Sequence, residues 1–105
     1  HVMKKTEIIS EDALEVMHLI QESPNTSQRI LAKKTGLSVG KINYCLKALI
    51  DIGYVKIQNF KNSNSKLKYA YVLTPKGIYK KTIIAKRFIA KKQEEYDKLN
   101  SYISD

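Results

Sequence analysis

The sequence predicts a mainly α fold with one β-hairpin (an α+β architecture), in which three short helices precede the hairpin and one long helix follows it. Two observations support this prediction. Apolar residues recur every three or four positions in three segments before Ile52 and one after Pro75, which is the period of an amphipathic helix. Between them lie two segments, 54–60 and 67–74, that are rich in aromatic and β-branched residues and flank a polar loop. With 105 residues, the chain is expected to form one domain.

The first helix is predicted to begin after Ser10 and to run to about Glu22. The Ser10 hydroxyl can cap it, and the two acidic residues that follow complement the positive end of the helix dipole. Helical spacing predicts a buried face made of Leu14, Met17, His18 and Ile20. Residues 1–9 are interpreted as a flexible lead-in, with a cloning remnant before Met3.

Residues 27–54 predict two short helices joined by a tight turn. Thr26 or Ser27 caps the second helix, and Gly36 ends it because glycine readily takes the left-handed conformation. Ser38 then caps the third helix, which runs to about Ile52. The predicted inward residues are Ile30, Leu31 and Ala32 on the second helix and Ile42, Cys45, Leu46, Leu49 and Ile50 on the third. This arrangement is typical of a DNA-binding helix-turn-helix.

The outer face of the third helix carries side chains suited to nucleic acid. Lysine can bond guanine O6 or N7 and asparagine can pair with adenine, so a helix inserted in the major groove would read base edges. The start of the second helix offers N–H groups and polar side chains to a phosphate. The recognition-helix candidates are Ser38, Gly40, Lys41, Asn43, Tyr44 and Lys47, and those at the start of the second helix are Ser27, Gln28 and Arg29. The alternatives are a solvated outer face and a simple capping role for Ser27.

The polar loop between the two strands is predicted to be a wing. Short polar and basic side chains on a hairpin tip suit phosphate contact or insertion into the minor groove. The wing candidates are Lys61, Asn62, Ser63, Asn64, Ser65 and Lys66. An ordinary hydrophilic hairpin loop is the alternative. Residues 10–74 are therefore predicted to form a winged helix-turn-helix domain that binds DNA.

Residues 75–105 are predicted to form one long helix that pairs two copies of the chain. Pro75 suits a first helical turn, and no later proline interrupts the segment. Eight positions step alternately by four and three, the spacing of a coiled-coil seam, and six of them are apolar. The predicted dimerisation residues are Ile78, Thr82, Ala85, Ile89, Tyr96, Leu99 and Ile103, and the two polar positions of the repeat are Thr82 and Lys92. A helix of about 28 of these residues would be about 42 Å long, at about 1.5 Å per residue, which is too long to bury itself on so small a domain. The alternative is an amphipathic helix folded back on its own core.

The charge distribution predicts an anionic partner. The formal net charge is +9 and the pI is about 9.6. Between Ser23 and Lys92 the only acidic residue is Asp51, and the other nine acids lie toward the two ends. A protein that is merely soluble usually intersperses its charges, so the basic middle of the chain is interpreted as a binding surface.

The sequence lacks the patterns of an enzyme or a cofactor-binding protein. It has no Ser/His/Asp set, no glycine-rich phosphate loop and no metal-ligand spacing, so neither catalysis nor a metal or cofactor is expected. The single cysteine, Cys45, excludes an intrachain disulfide and its spacing favours the core over a redox role. His18 is interpreted as a packing or capping residue. No segment is apolar enough to span a membrane, and a cytoplasmic location is expected.

The stretch 27–78, in particular GKINYCLKALID, GYVK and LTPKGI, resembles the MarR-type winged-helix transcriptional regulators. It is most similar to the short subgroup associated with exopolysaccharide (EPS) gene clusters. The resemblance covers about half of the chain and implies a homodimeric repressor or activator that binds double-stranded promoter DNA. The chain departs from longer members by having one helix before the motif and one after it, so no effector pocket is assigned. The alternatives are a protein-interaction module and a protein that binds RNA or single strands through Tyr69 or Tyr71.

Overall fold

The computed structural model describes residues 9–61 and 67–103. Its elements, in chain order, are α1 (Glu11–Glu22), α2 (Gln28–Thr35), α3 (Val39–Asp51), β1 (Val55–Lys61), β2 (Leu67–Leu73) and α4 (Pro75–Ser101). This order confirms the predicted fold class, a winged helix-turn-helix with a long C-terminal helix. The predicted bounds of the first three helices and of both strands are correct to within one residue at each end, whereas α4 ends at Ser101 and not at residue 105.

All four helices begin at a hydroxyl side chain. The Oγ atoms of Ser10, Ser27 and Ser38 and the Oγ1 atom of Thr74 each accept a backbone N–H bond from the residue three positions later, at 3.0 to 3.3 Å. Each bond satisfies a donor that the first helical turn leaves without a partner. Gly36 ends α2 at a φ of 76°, the left-handed conformation predicted for it. Local sequence therefore sets where the helices start and where α2 stops.

The core lies where α1, α3 and the base of the hairpin meet. Its buried members are Ala13, Val16, Met17, Ile20, Leu31, Ile42, Cys45, Leu46, Leu49, Tyr54, Val55, Tyr71 and Ile84. The predicted inward residues of α3 lie in or beside this core. Two predictions were wrong. His18 is exposed, because the buried face of α1 is formed one position earlier and His18 lies at the polar edge beside Lys81 of α4. Ile30 is exposed because α2 is short and buries Leu31 alone.

The hairpin is an antiparallel pair whose register places Ile57 opposite Tyr71 and Asn59 opposite Tyr69. The turn between α1 and α2 adds an isolated bridge to its outer edge. The Tyr71 N–H donates to the Thr26 carbonyl at 3.2 Å, and the Asn25 N–H donates to the Tyr71 carbonyl at 3.3 Å. The hairpin is thus joined to the start of α2 as well as to the end of α3.

The start of α4 lies directly against the first residues of the hairpin. The Thr74 hydroxyl donates to the Gly53 carbonyl at 2.6 Å, and the Thr74 N–H donates to the Tyr54 carbonyl at 3.0 Å. Gly77 follows one turn later, and a Cβ atom there would lie 2.1 Å from the Tyr54 carbonyl oxygen. Only a glycine lets the helix backbone come this close to the strand. Beyond this point α4 runs alongside α1, where Lys92 Nζ lies 3.2 Å from a Glu11 carboxylate oxygen.

Tyr54 provides a first test of the packing. Its side chain is fully buried, and its hydroxyl has no hydrogen-bond partner among the described residues. Burial raises the pKa of this hydroxyl, although the charge of Arg87 acts in the opposite direction. Because a buried hydroxyl without a partner is costly, we expect Tyr54→Phe to raise the free energy of unfolding by about 1 kcal/mol. Urea denaturation measures this. Tyr79→Phe, at a side chain 67% exposed, is the control, and a loss of stability in Tyr54→Phe alone would contradict the expectation.

Candidate nucleic-acid interface

The outer face of α3 presents most of the predicted recognition residues together. Gly40, Tyr44 and Lys47 follow one another at four and three positions, so they lie on one helix face, and all three are exposed. Lys41 is exposed on one flank of this face and Asn43 is half-buried on the other. Ser38 is the recognition candidate that caps the helix, and its hydroxyl accepts a bond from the Lys41 N–H at 3.0 Å. The structure therefore groups these residues on and beside the outward face of α3.

A contact within α3 joins two of these side chains. The Nζ atom of Lys41 lies 5.4 Å from the centroid of the Tyr44 ring, within the range of a cation–π interaction. Both side chains also border a groove of about 390 Å³ between α1 and α3, whose other lining residues are Ile9, Ser10, Ala13, Cys45, Ala48, Asp51 and Ile52. Lys41 and Tyr44 therefore lie on the side of the recognition face that is closer to α1.

The start of α2 differs from its prediction in one respect. Arg29 is exposed and Ser27 caps the helix, whereas the Gln28 side chain is already bonded within the protein. Its Nε2 atom donates to the Tyr71 hydroxyl of β2 at 2.9 Å. Sequence reasoning missed this pair because its members are 43 positions apart and neither belongs to a motif.

Only part of the wing is described. The wing candidates Asn62, Ser63, Asn64, Ser65 and Lys66 lie outside the described residues, and Lys61 is described as the last residue of β1. Ile57 and Tyr69 are exposed. They lie on the same face of the hairpin as Val55 and Tyr71, which pack into the core. The outer part of the hairpin thus continues beyond the core toward the loop.

Cys45 lies on the inner side of α3, and its thiol is buried, as predicted. Burial raises the pKa of the thiol; the positive charge of Lys41 lowers it and the negative charge of Asp12 raises it further. A thiol with a raised pKa stays protonated at neutral pH and is a poor nucleophile. Cys45 therefore acts as a small apolar side chain of the core.

This raised pKa predicts how stability depends on pH. The unfolded chain releases the thiol proton near the ordinary value of 9.0, before the folded chain does. The contribution to stability is therefore complete below about pH 9 and is lost as the pH rises through the higher folded pKa. We expect urea denaturation to show a steeper loss of stability above about pH 9 in the wild type than in Cys45→Ala. Tyr54 is present in both proteins, so parallel curves would contradict this role of the thiol.

The second half of α4 extends away from the domain. The buried face of α4 lies in the first half of the helix, where Gly77 and Ile84 are buried and Phe88 is partly covered. Every residue from 89 to 103 is exposed. Only the first half of α4 packs on the core. Of the predicted seam, Ala85 is half-buried, and the exposed members are Ile78, Thr82, Ile89, Tyr96, Leu99 and Ile103. They form an apolar stripe about a quarter turn from the face that packs on the domain.

Residues 9–61 and 67–103 contain neither a candidate metal site nor a candidate membrane span. No group of three or more His, Cys, Asp or Glu side chains there is arranged to hold a metal ion. None of the helices in this part of the chain combines the length and the apolar character needed to cross a membrane.

Comparison with known proteins agrees with this geometry. Residues 13–56, from α1 to the start of β1, match a family model described as winged helix-turn-helix DNA-binding. The match covers less than half of the chain and agrees with the winged-helix fold described above. No curated protein matches it significantly.

Several solved structures share the fold at low sequence identity. FabT of Streptococcus pneumoniae, in complex with DNA, is 17% identical with a TM-score of 0.61; the match covers 87% of this chain and 62% of FabT. The transcriptional regulator SlyA is 18% identical with a TM-score of 0.65, covering 94% of this chain and 74% of SlyA. The smu.1704 protein of Streptococcus mutans UA159 is 13% identical with a TM-score of 0.74, covering 100% and 97%. This chain thus spans less than two thirds of FabT but almost all of smu.1704.

Proposed function

We propose that this protein is a homodimeric transcriptional regulator of the MarR type that binds a specific double-stranded DNA sequence. The observation that carries the proposal is the exposed, basic and polar outer face of α3, held at the surface of a capped helix-turn-helix. The shortage of acidic residues in the middle of the chain supports it, because a duplex carries closely spaced phosphates. The likeness of the sequence to the exopolysaccharide-associated subgroup supports the proposal that the protein controls exopolysaccharide-related genes.

In the proposed complex each part of the domain has its own contact. The outer face of α3 enters the major groove, where Lys41 and Asn43 read base edges. Arg29 and the N–H groups at the start of α2 bind a phosphate, and the loop after Lys61 contacts the neighbouring phosphates or minor groove. Residues 10–74 form the DNA-binding domain. Residues 75–105 pair two copies, so that the two α3 helices enter successive major grooves about 34 Å apart.

Salt dependence of duplex binding tests this proposal. A duplex would be selected by the wild-type protein from a random-sequence pool, and its dissociation constant measured by fluorescence anisotropy between about 50 and 200 mM salt. We expect an affinity that falls steeply with salt and a mass in solution of two chains. An affinity that barely changes with salt would refute DNA binding and favour a protein-interaction module. Tighter binding of a single strand of the same sequence would favour the single-strand alternative.

Two lysines are predicted to have different effects on binding. Lys41→Ala is expected to reduce discrimination between the selected duplex and a scrambled one by about 5- to 100-fold, because a bidentate base contact is lost; Asn43→Ala should do the same. Lys61→Ala should weaken binding to both duplexes equally and make the salt slope shallower by about one. Competition titrations measure both quantities. Lys86→Ala, at an exposed position of α4, is the control for lost charge. Full discrimination in Lys41→Ala and Asn43→Ala would show that the recognition face is wrongly assigned.

A further inference from the structure

Tyr71 connects the hairpin to the helix-turn-helix in two different ways. Its backbone N–H and carbonyl bond to the turn before α2, through Thr26 and Asn25, along the outer edge of β2. Its side chain crosses the core, with 8% of the residue exposed, and its hydroxyl accepts the bond from Gln28 Nε2 at 2.9 Å. The second bond joins α2 to the hairpin through side chains alone.

The two connections restrain different movements. Backbone bonds along one strand edge fix the position of β2 but leave it able to pivot about that edge. The hydroxyl lies at the far end of the tyrosine ring, away from the edge, so its bond to Gln28 opposes this rotation. The restraint matters because the face of the hairpin that packs into the core through Val55 and Tyr71 is uncovered at Ile57 and Tyr69. The outer part of β2 extends about 13 Å beyond Tyr71, at about 3.3 Å per residue, so a small rotation moves the end of the strand considerably.

We propose that Tyr71 and Gln28 are a positioning pair that holds the hairpin strands at a fixed angle to α2 and α3, so that the hairpin and the helix-turn-helix meet DNA as one rigid surface. This inference rests on the proposed function. Tyr71 acts through Gln28 and through the hairpin, and it is not itself assigned a contact with DNA. Without the pair, the hairpin would take a range of angles in the complex, so the average number of phosphates contacted would fall and binding would weaken.

The first test measures DNA binding by Tyr71→Phe, Gln28→Ala and the double variant on the selected duplex. Each single variant is expected to bind about 3- to 10-fold more weakly, as loss of one hydrogen bond implies, and to show a shallower salt slope because fewer phosphates are contacted. The dissociation constant of the double variant should equal the larger of the two single-variant values, because both changes remove the same restraint. Tyr79→Phe is the control for removal of a tyrosine hydroxyl at an exposed site of α4.

The salt slope separates positioning from mere support of the fold, because partial unfolding reduces the active fraction without changing the slope of the remainder. An unchanged dissociation constant and slope in Tyr71→Phe would overturn the proposal. The proposal would also be overturned if the fold-loss of affinity in the double variant equalled the product of the two single-variant losses.

The second test needs no DNA. Amide hydrogen exchange of the full chain is compared between wild type and Gln28→Ala, whose half-buried position makes folding of the variant expected. We expect faster exchange at the amides of β1 and β2 with unchanged exchange in α1 and α3. Equal exchange in the hairpin would overturn the positioning pair even if Tyr71→Phe failed to fold. If instead the wild type binds no duplex, the proposed function fails and the exchange experiment still decides the pair.

Discussion

Ile89→Glu is expected to convert the proposed dimer to monomers and to lower its affinity for the selected duplex by about 100-fold or more. Ile89 is 66% exposed in the single chain and lies in the middle of the apolar stripe of α4. A carboxylate there would have to lose its water inside a helix pair, which costs several kcal/mol without a compensating charge. The monomer would then bind one half-site alone and lose the gain of linked binding, which is commonly about 10²- to 10⁴-fold.

Light scattering combined with chromatography measures the mass, and anisotropy measures the affinity. Ala90→Glu is a matched control, because it adds the same charge one residue later, at an exposed position about 100° around the helix. The control is expected to stay dimeric. A dimeric Ile89→Glu protein would disprove the seam, and dissociation of both variants would point to general charge repulsion instead.

Gly77→Ala is expected to lower the free energy of unfolding by about 3 kcal/mol, at the upper end of the cost of overpacking. The added Cβ would meet the Tyr54 carbonyl oxygen at 2.1 Å and its carbonyl carbon at 2.9 Å. These are backbone atoms of a buried residue, so relief requires a shift of α4 or of the hairpin. The corresponding fall in melting temperature is about 10 to 20 °C for a domain of this size.

Gly40→Ala is the matched control for the effect of glycine in a helix. Its new Cβ would have the Ser38 Oγ at 3.9 Å as its nearest neighbour, which is an ordinary contact. We therefore expect Gly40→Ala to gain about 0.5 to 1 kcal/mol from helix propensity. Urea denaturation of both variants measures the difference, and equal effects of the two substitutions would contradict the proposed close approach at Gly77.

Most of the fold could be predicted because its signals are local. A hydroxyl before an amphipathic segment, a glycine after α2 and a proline at the start of α4 each act within a single turn of the chain. Cys45 was placed correctly because three of its neighbours on α3 repeat at helical spacing. The apolar pattern was ambiguous at His18 and Ile30, and the prediction that these side chains are buried was wrong. Partners from other elements decide which side of a short helix is covered.

The candidate site divides in the same way. The residues of α3 that are proposed to contact DNA were chosen from the positions opposite or flanking the apolar stripe, and these positions follow from helical spacing alone. The bond from Gln28 to Tyr71 could not be foreseen, because it depends on how far the hairpin leans toward α2. The groove beside Lys41 and Tyr44 likewise exists only once α1 packs against α3.

The sequence by itself determined the element order, the helix starts, the buried side of α3 and the apolar repeat of α4, since periodicity and capping need only residues close in the chain. Tertiary structure alone decided that Gly77 lies against the Tyr54 carbonyl, that Tyr71 bonds to Gln28 and that the second half of α4 extends uncovered. The physical reason is distance along the chain. Contacts between residues tens of positions apart depend on the angles at which helices and hairpin pack, and no local pattern encodes those angles.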